Sequence, residues 1–307
     1  METIPAPLLR ASQAERKMLA GVALLCLIAS FLHAHSSIAP RLSSREIQGV
    51  LYAQPSLFLN YGPQTQTLDL VFIEKPKPVL FSSGSRKHPK HSAGEGIAAL
   101  KNALLQENPG TSFSPLVLNY PQLTFSAESF TKHIKNFLSG WTRHSASHGI
   151  VWKIAHDIRQ QNSGIGLYDL LLLGIEATQI PPQNIRPASL PEKAEQIPLL
   201  IRRFGKSPVS REDHKAVAVE ILNGSGKARL GQELTKNLRM QGIDVVYTGN
   251  YKSLIPETKL LDRSGDWAAA LKIQQLAEFQ DKEVWTEIDP QRFVDVSIIL
   301  GSDYLLK

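Results

Sequence analysis

The feature that most constrains this chain is an uncharged apolar run, Met18–Leu32 (MLAGVALLCLIASFL), near the start of 307 residues. His33 and Ala34 continue it, and Arg10, Arg16 and Lys17 precede it. A bilayer-crossing helix needs roughly 17–25 apolar residues, so the run is at the short end of that range. The basic residues on its N-terminal side favour a cytoplasmic N-terminus, with everything after His35 outside. A secretory signal peptide also has a short apolar core, and Ala34 is a poor but conceivable cleavage position. A core helix of a soluble protein seldom lacks polar residues on every face. The reading is therefore an uncleaved single-pass anchor over 18–34 behind a cytoplasmic tail, 1–17. A body outside the membrane has no ATP supply, which argues against kinase-type chemistry.

Apolar residues make up 42% of the chain, enough to bury a core, so wholesale disorder is excluded. The single cysteine, Cys26, lies in the apolar run. It excludes an intramolecular disulfide framework, a Cys-based zinc site and an iron–sulfur cluster. The net charge of +6 is uneven: from Lys215 onward 12 basic residues face 13 acidic ones, so the excess lies before that point.

Residues 35–66 read as a connector with one short helical stretch around Arg45–Tyr52. Leu68–Ile73 (LDLVFI) is strand-like, Lys75–Pro78 is rich in breakers, and 82–94 is a polar, basic loop. Ile97, Leu100, Leu104 and Leu105 recur at helical spacing. Pro115–Asn119 reads as a strand, and 126–141 and 150–161 read as helices. Tyr168–Ile175 is a helix or a buried strand. Prolines 187, 191, 198 and 208 mark the best domain boundary, with a linker over 192–215.

The last 93 residues are the most legible. Ala216–Leu222 is a strand running into Asn223-Gly224-Ser225-Gly226. Leu230, Leu234 and Leu238 give a helix that Gly242 terminates. Ile243–Thr248 and Thr258–Leu261 read as strands. Ala269, Ala270, Ile273, Leu276 and Ala277 mark a second helix capped by Ser264 or Asp266. Glu283–Thr286 is a short strand, and alternation over Val294–Leu300 predicts a half-buried closing strand. The order β-α-β-β-α-β-β implies a small sheet with helices on one face. The whole chain reads as α/β (α+β): a transmembrane helix, a divergent α/β middle domain over 67–191 and this C-terminal domain over 216–307. The glycine turn fails both phosphate-loop templates, because Arg229 stands where the dinucleotide fingerprint needs glycine, and Gln232-Glu233 where the P-loop needs Lys-Ser/Thr.

Several stretches carry a family resemblance. Leu222–Gly226 with Leu230–Leu234, Gly242–Asn250, Asp262–Asp266 and Val294–Tyr304 together resemble the LytR C-terminal domain, over nearly all of Val217–Tyr304. That resemblance implies an accessory module of envelope proteins with no catalytic residues, often placed behind a LytR-CpsA-Psr domain. The middle region is faintly similar to the latter. Thr67-Leu68-Asp69-Leu70-Val71 stands for its first strand and Phe81–Lys87 for its second. Leu116–Asn119 with Phe125 and Phe130, then Leu167–Ile175 and Ile185–Pro191, stand for later elements. The resemblance implies transfer of undecaprenyl-pyrophosphate-linked glycopolymer onto the cell wall. The arginines would neutralise pyrophosphate, and carboxylates would hold magnesium. Only Asp69, Arg86 and Arg143 remain as catalytic candidates. Lys87 replaces the expected aspartate, and His144 and His148 follow Arg143. These departures favour a non-catalytic copy without a cofactor.

Lys75, Lys77, Arg86, Lys87 and Lys90 form a basic run with no acid until Glu95. Such a loop is a candidate contact for phosphate-rich wall polymer or lipid head groups, and a solvated loop is the alternative. Nucleic acid is disfavoured, because aromatic residues do not interleave with the basic ones. His144 and His148 are four apart, but Gly149 breaks the helix and no third ligand follows, so no metal site is assigned. The sequence thus predicts a membrane-anchored envelope protein that binds or scaffolds at the wall, with a possible protein partner there. Glycopolymer phosphotransfer is the alternative.

Overall fold

A computed structural model of the chain describes residues 26–43, 46–73, 92–109, 112–140, 156–162, 164–206 and 216–304, with backbone only over 137–140. The strands are β1 (Ile47–Gln54), β2 (Ser56–Gly62), β3 (Thr67–Ile73), β4 (Leu116–Thr124), β5 (Ile185–Ser189), β6 (Ala218–Asn223), β7 (Asp244–Asn250), β8 (Lys259–Asp262), β9 (Val284–Thr286) and β10 (Val296–Leu300). They form one sheet in the order β4-β1-β2-β3-β5-β9-β8-β10-β6-β7. The first five belong to the N-terminal half and the last five to the C-terminal half. The halves meet where β5 runs parallel to β9 through a single residue pair, Ala188 and Thr286.

Among the described residues, the longer helices packed on the sheet include α1 (Ala93–Glu107), α2 (Ala127–Gly140), α3 (Leu167–Thr178), α4 (Ile197–Ile201), α5 (Leu230–Met240) and α6 (Trp267–Leu276), and a short turn of helix spans Ala39–Leu42. Side chains alternate across a strand, so the cores assign the faces. Val71, Ala188, Leu100 of α1 and Leu200 of α4 share one core. Val284, Leu234 of α5 and Ile273 of α6 share another. Ala188 pairs with Thr286, two residues from Val284, so these two cores lie on the same face. The opposite face packs Leu57, Leu70 and Phe72 under α2 and α3. Beyond Trp285 that face continues as Leu222, Leu261 and Ile299, and among the described residues no helix packs there.

The C-terminal half has the expected β-α-β-β-α-β-β order, with both helices in one core. Gly242 follows α5 at φ +80°, where a side chain would be strained. Asp266 caps α6 by accepting from the Ala269 amide at 3.2 Å. β10 departs from expectation because it is buried on both faces. It lies inside the sheet between β8 and β6, and its polar Ser297 is satisfied by Glu220 and Arg263.

Two other segments differ from the sequence expectation. Residues 47–62, taken for part of a connector with a helical turn, form β1 and β2. Ile47, Val50 and Leu51 have helical spacing, but Val50 faces one core while Ile47 and Leu51 face the other. Burial on both faces removes the alternation that marks a strand. The linker assigned to 192–215 is folded up to residue 206: Ile197, Leu200, Ile201 and Phe204 are core residues. The ambiguous Tyr168–Ile175 stretch is helical, within α3. Of the polar, basic loop expected over 82–94, residues 82–91 lie outside the described residues, while Ser92 caps α1 and Ala93 begins it.

Residues 26–34 are helical. Among the described residues no helix is long and apolar enough to cross a membrane, and residues 18–25 of the apolar run lie outside them.

If 192–206 were a linker, truncating Leu200 would change little. Its side chain is fully buried, so Leu200→Ala should cost about 2–5 kcal/mol, read as a lower urea midpoint at unchanged slope.

Candidate functional site

Two polar constellations occupy opposite faces of the sheet at the joint between its halves. The first is buried. Asp69 on β3 pairs across the ladder with Arg186 on β5. Arg186 Nη2 donates to Asp69 Oδ2 at 2.6 Å. Arg203, just after α4, brings its Nε within 3.0 Å of Asp69 Oδ1 as an ion pair without hydrogen-bond alignment. Arg203 Nη2 donates to the Arg186 carbonyl, and Arg186 donates to the carbonyls of Lys206 and Arg203. On its other side, Arg203 Nη1 donates to the Thr286 hydroxyl of β9. That hydroxyl donates to Asp262 Oδ2 on β8 at 2.9 Å, and Asp262 Oδ1 accepts the amides of Ser264 and Gly265.

Two carboxylates therefore offset two guanidiniums, all 5% exposed or less. Burial pulls the Arg203 pKa down to about 10, against the opposing pull of Asp69. Burial likewise pushes Asp262 up, against Arg203, Thr286 and the two amides. The Arg203 guanidinium also stacks over Trp267 at 5.8 Å. Gln48 and Asn60 extend the same row on β1 and β2, since Gln48 pairs with Asn60 and Asn60 with Asp69. Their buried Gln48 Oε1 and Asn60 amide atoms have no hydrogen-bond partner among the described residues.

The second constellation is open. Where α2 stops covering the sheet, a cleft of about 2040 Å³ forms. Its wall carries Lys132, Lys135 and Asn136 of α2, and Trp285, Leu261, Ile299 and Tyr251 line the sheet side. Trp285 stacks on Phe72 at 5.5 Å, and its indole N–H donates to Ser189 Oγ at 3.2 Å, which fixes the ring. Two ion pairs join the wall to the C-terminal half: Lys135–Glu283 at 2.6 Å and Lys259–Glu128 at 2.7 Å. Among the described residues, four lysines (132, 135, 259 and 282) face six acids: Glu128, Glu257, Asp281, Glu283, Glu287 and Asp303. The volume exceeds the roughly 300–1,000 Å³ of a small-molecule pocket. The charge balance opposes a polyanion.

Of the sequence candidates, only Asp69 lies within the described residues, and it is closed to solvent on the face opposite the cleft. Arg86, Arg143, Lys75, Lys77, Lys87 and Lys90 lie outside them. Of the partners that Asp69 does have, Arg186 lies in the Ile185–Pro191 stretch of the family resemblance without a role assigned to it, and Arg203 carried no motif. A charged residue inside the apolar Ile185–Ser189 strand was the one available hint. Trp285 and Tyr251 gave none. Magnesium, implied by the transferase resemblance, does not fit Asp69: its oxygens already face two guanidiniums, and a hard cation needs several free oxygen ligands. No group of three or more His, Cys, Asp or Glu among the described residues is arranged to hold a metal. The 223–226 turn is a structural device. Asn223 Oδ1 accepts the Ser225 amide and hydroxyl, and a Cβ on Gly224 would lie 3.1 Å from the Leu300 carbonyl.

Residues 216–304 match the model of a family described as LytR cell envelope-related transcriptional attenuator, where the sequence resemblance was read. No curated protein matches the chain. Among solved structures, the soluble domain of a conserved hypothetical secreted protein from Mycobacterium marinum is similar at 18% identity. The match covers 32% of this chain and 66% of that one, at a TM-score of 0.26, so no argument rests on it.

Arg203→Met would leave Asp69 and Asp262 without one of their cations. The expected loss is about 3–5 kcal/mol of unfolding free energy in urea. Adding Asp69→Leu to that variant should deepen the loss, since the buried Arg186 guanidinium then has no carboxylate partner.

Proposed function

We propose that this chain is a non-catalytic envelope protein, anchored through Met18–Leu32, whose cleft binds an uncharged glycan strand of the cell wall. Binding or scaffolding at the wall, and not turnover, is its role. The observation that carries the reading is the cleft itself, with an immobilised Trp285 beside Tyr251 and acids outnumbering lysines. Sugar rings stack on such aromatic faces, and hydroxyls suit the mixed donors and acceptors of Asn119, Asn136 and Gln183 along the lining. The match over 216–304 to an envelope-related family supports the setting. The burial and double ion-pairing of Asp69 support the absence of phosphotransfer. A discrete protein partner in the envelope is compatible with this role.

The test is co-sedimentation of the full-length protein, in detergent, with purified insoluble peptidoglycan stripped of anionic polymer. Retention should survive 0.5 M salt, since ionic contacts do not dominate (at roughly 1 M salt the screening length is only about 3 Å). Tyr251→Ala and Trp285→Ala should each weaken binding by about tenfold, equivalent to about 1.4 kcal/mol. Absence of retention at low salt would remove the reading. Magnesium-dependent polymer transfer abolished by Asp69→Ala would restore the phosphotransferase.

A further inference from the structure

The apolar helix at 26–34 is linked to α3 in a way that gives α3 a job of its own. His33 Nδ1 lies 3.2 Å from the Tyr168 hydroxyl, at the first turn of α3. Ser36 Oγ donates to Asp169 Oδ1 at 2.5 Å, and the Ile38 amide donates to the same oxygen at 3.1 Å. Asp169 Oδ2 also accepts the Gly166 amide at 2.7 Å, so one carboxylate caps α3 and holds the segment leaving the apolar helix. Burial raises the Asp169 pKa, but these hydrogen bonds outweigh it and hold it below its ordinary value. Ile38 and Ala39 are buried beside it. The chain therefore leaves the apolar helix at a fixed point on the body.

Next to that point, α3 carries Leu167, Leu171 and Ile175 at 62%, 58% and 47% exposure. Spacing of four and eight residues puts them on one side of the helix. Leu27, Ile28, Phe31 and Leu32 of the apolar helix are exposed too. The two charged residues of α3 are both engaged elsewhere, Asp169 with Ser36 and Glu176 with the Tyr61 hydroxyl at 2.6 Å. Three side chains fall well short of the roughly 800 Å² per partner that a stable protein interface buries, which disfavours a second copy of the chain.

We propose that the occupant of this stripe is the outer leaflet of the lipid bilayer, with α3 lying in the membrane–water interface beside the emerging anchor. Apolar side chains of an interfacial helix sit roughly 5–10 Å into the head-group boundary, and Tyr168 and His33 suit that depth with their part-polar rings. This contact restricts the tilt of the body and sets the height at which the cleft is presented. The inference rests on the anchor assigned under the proposed function.

The experiment is site-directed spin labelling of the full-length protein in phosphatidylcholine–phosphatidylglycerol vesicles, reading collision rates with oxygen and with a water-soluble nickel chelate. The native Cys26 reports the anchor. Leu171→Cys in a Cys26→Ser background reports the stripe, Leu167→Cys is a second stripe site, and Leu254→Cys, 77% exposed in the C-terminal half, reports water. The expected result is oxygen-dominated collision at 26 and at both stripe sites, with a ratio several-fold above that at 254. Oxygen dominance at 26 with nickel dominance at 167 and 171 overturns the inference and leaves the anchor standing. Stripe labels shielded from both reagents mean that protein covers the stripe, which also overturns it. A nickel-accessible Cys26 removes the anchor and this inference with it.

Discussion

The contact on which the molecule depends is the buried chain from Asp69 through Arg203 and Thr286 to Asp262. Backbone pairing alone joins the half-sheets through one residue pair, Ala188 and Thr286. A single bridge would leave two domains free to move. The side chains close the gap, since Arg203 holds Asp69 of the N-terminal half with one edge of its guanidinium and Thr286 of the C-terminal half with another. Buried ion pairs are costly to form and seldom stabilise more than apolar packing would, but they fix geometry because every misaligned state strands a charge. The same joint places α2 beside the face of the C-terminal half that carries Leu261 and Ile299, and the cleft lies between them. A rigid joint on one face is thus the condition for a defined cleft on the other.

That arrangement assigns different roles to two kinds of charge. The fully buried charges at Asp69, Arg186, Arg203 and Asp262 serve architecture. The part-exposed pairs Lys135–Glu283 and Lys259–Glu128 span the cleft wall, where exposed ion pairs add little stability and leave the surface close to neutral. Acids in excess along the cleft oppose an anionic polymer, which is why the ligand proposed for it is an uncharged strand.

The C-terminal half was legible because its helices have apolar residues every four positions and its turns carry glycine or a capping aspartate. In the N-terminal half β3, α1, the start of β4 and α2 were legible too, but β1 and β2 were not, for a physical reason. β1, β2 and β3 are covered on both faces, so Ile47, Val50 and Leu51 show no alternation and imitate a helix. The stretch around Leu200 was misread because Pro198 and its neighbours resemble a linker, whereas proline in the first turn of a helix is compatible with packing. The site was less legible still. Asp69 stood out, but Arg186 and Arg203 lie more than a hundred residues away, and only the parallel pairing of β3 with β5 brings them together. Trp285 gained meaning only from its place on the cleft floor, beside Tyr251.

The central claim is that everything from Ser36 onward, cleft included, lies outside the cytoplasm. A topology reporter fused to the C-terminus of the full-length chain addresses it most directly. Alkaline phosphatase, active only after export, should give strong activity there, while a fluorescent protein that matures only in the cytoplasm should stay dark. A bright cytoplasmic fusion with an inactive phosphatase would contradict the account, because no wall strand could then reach the cleft.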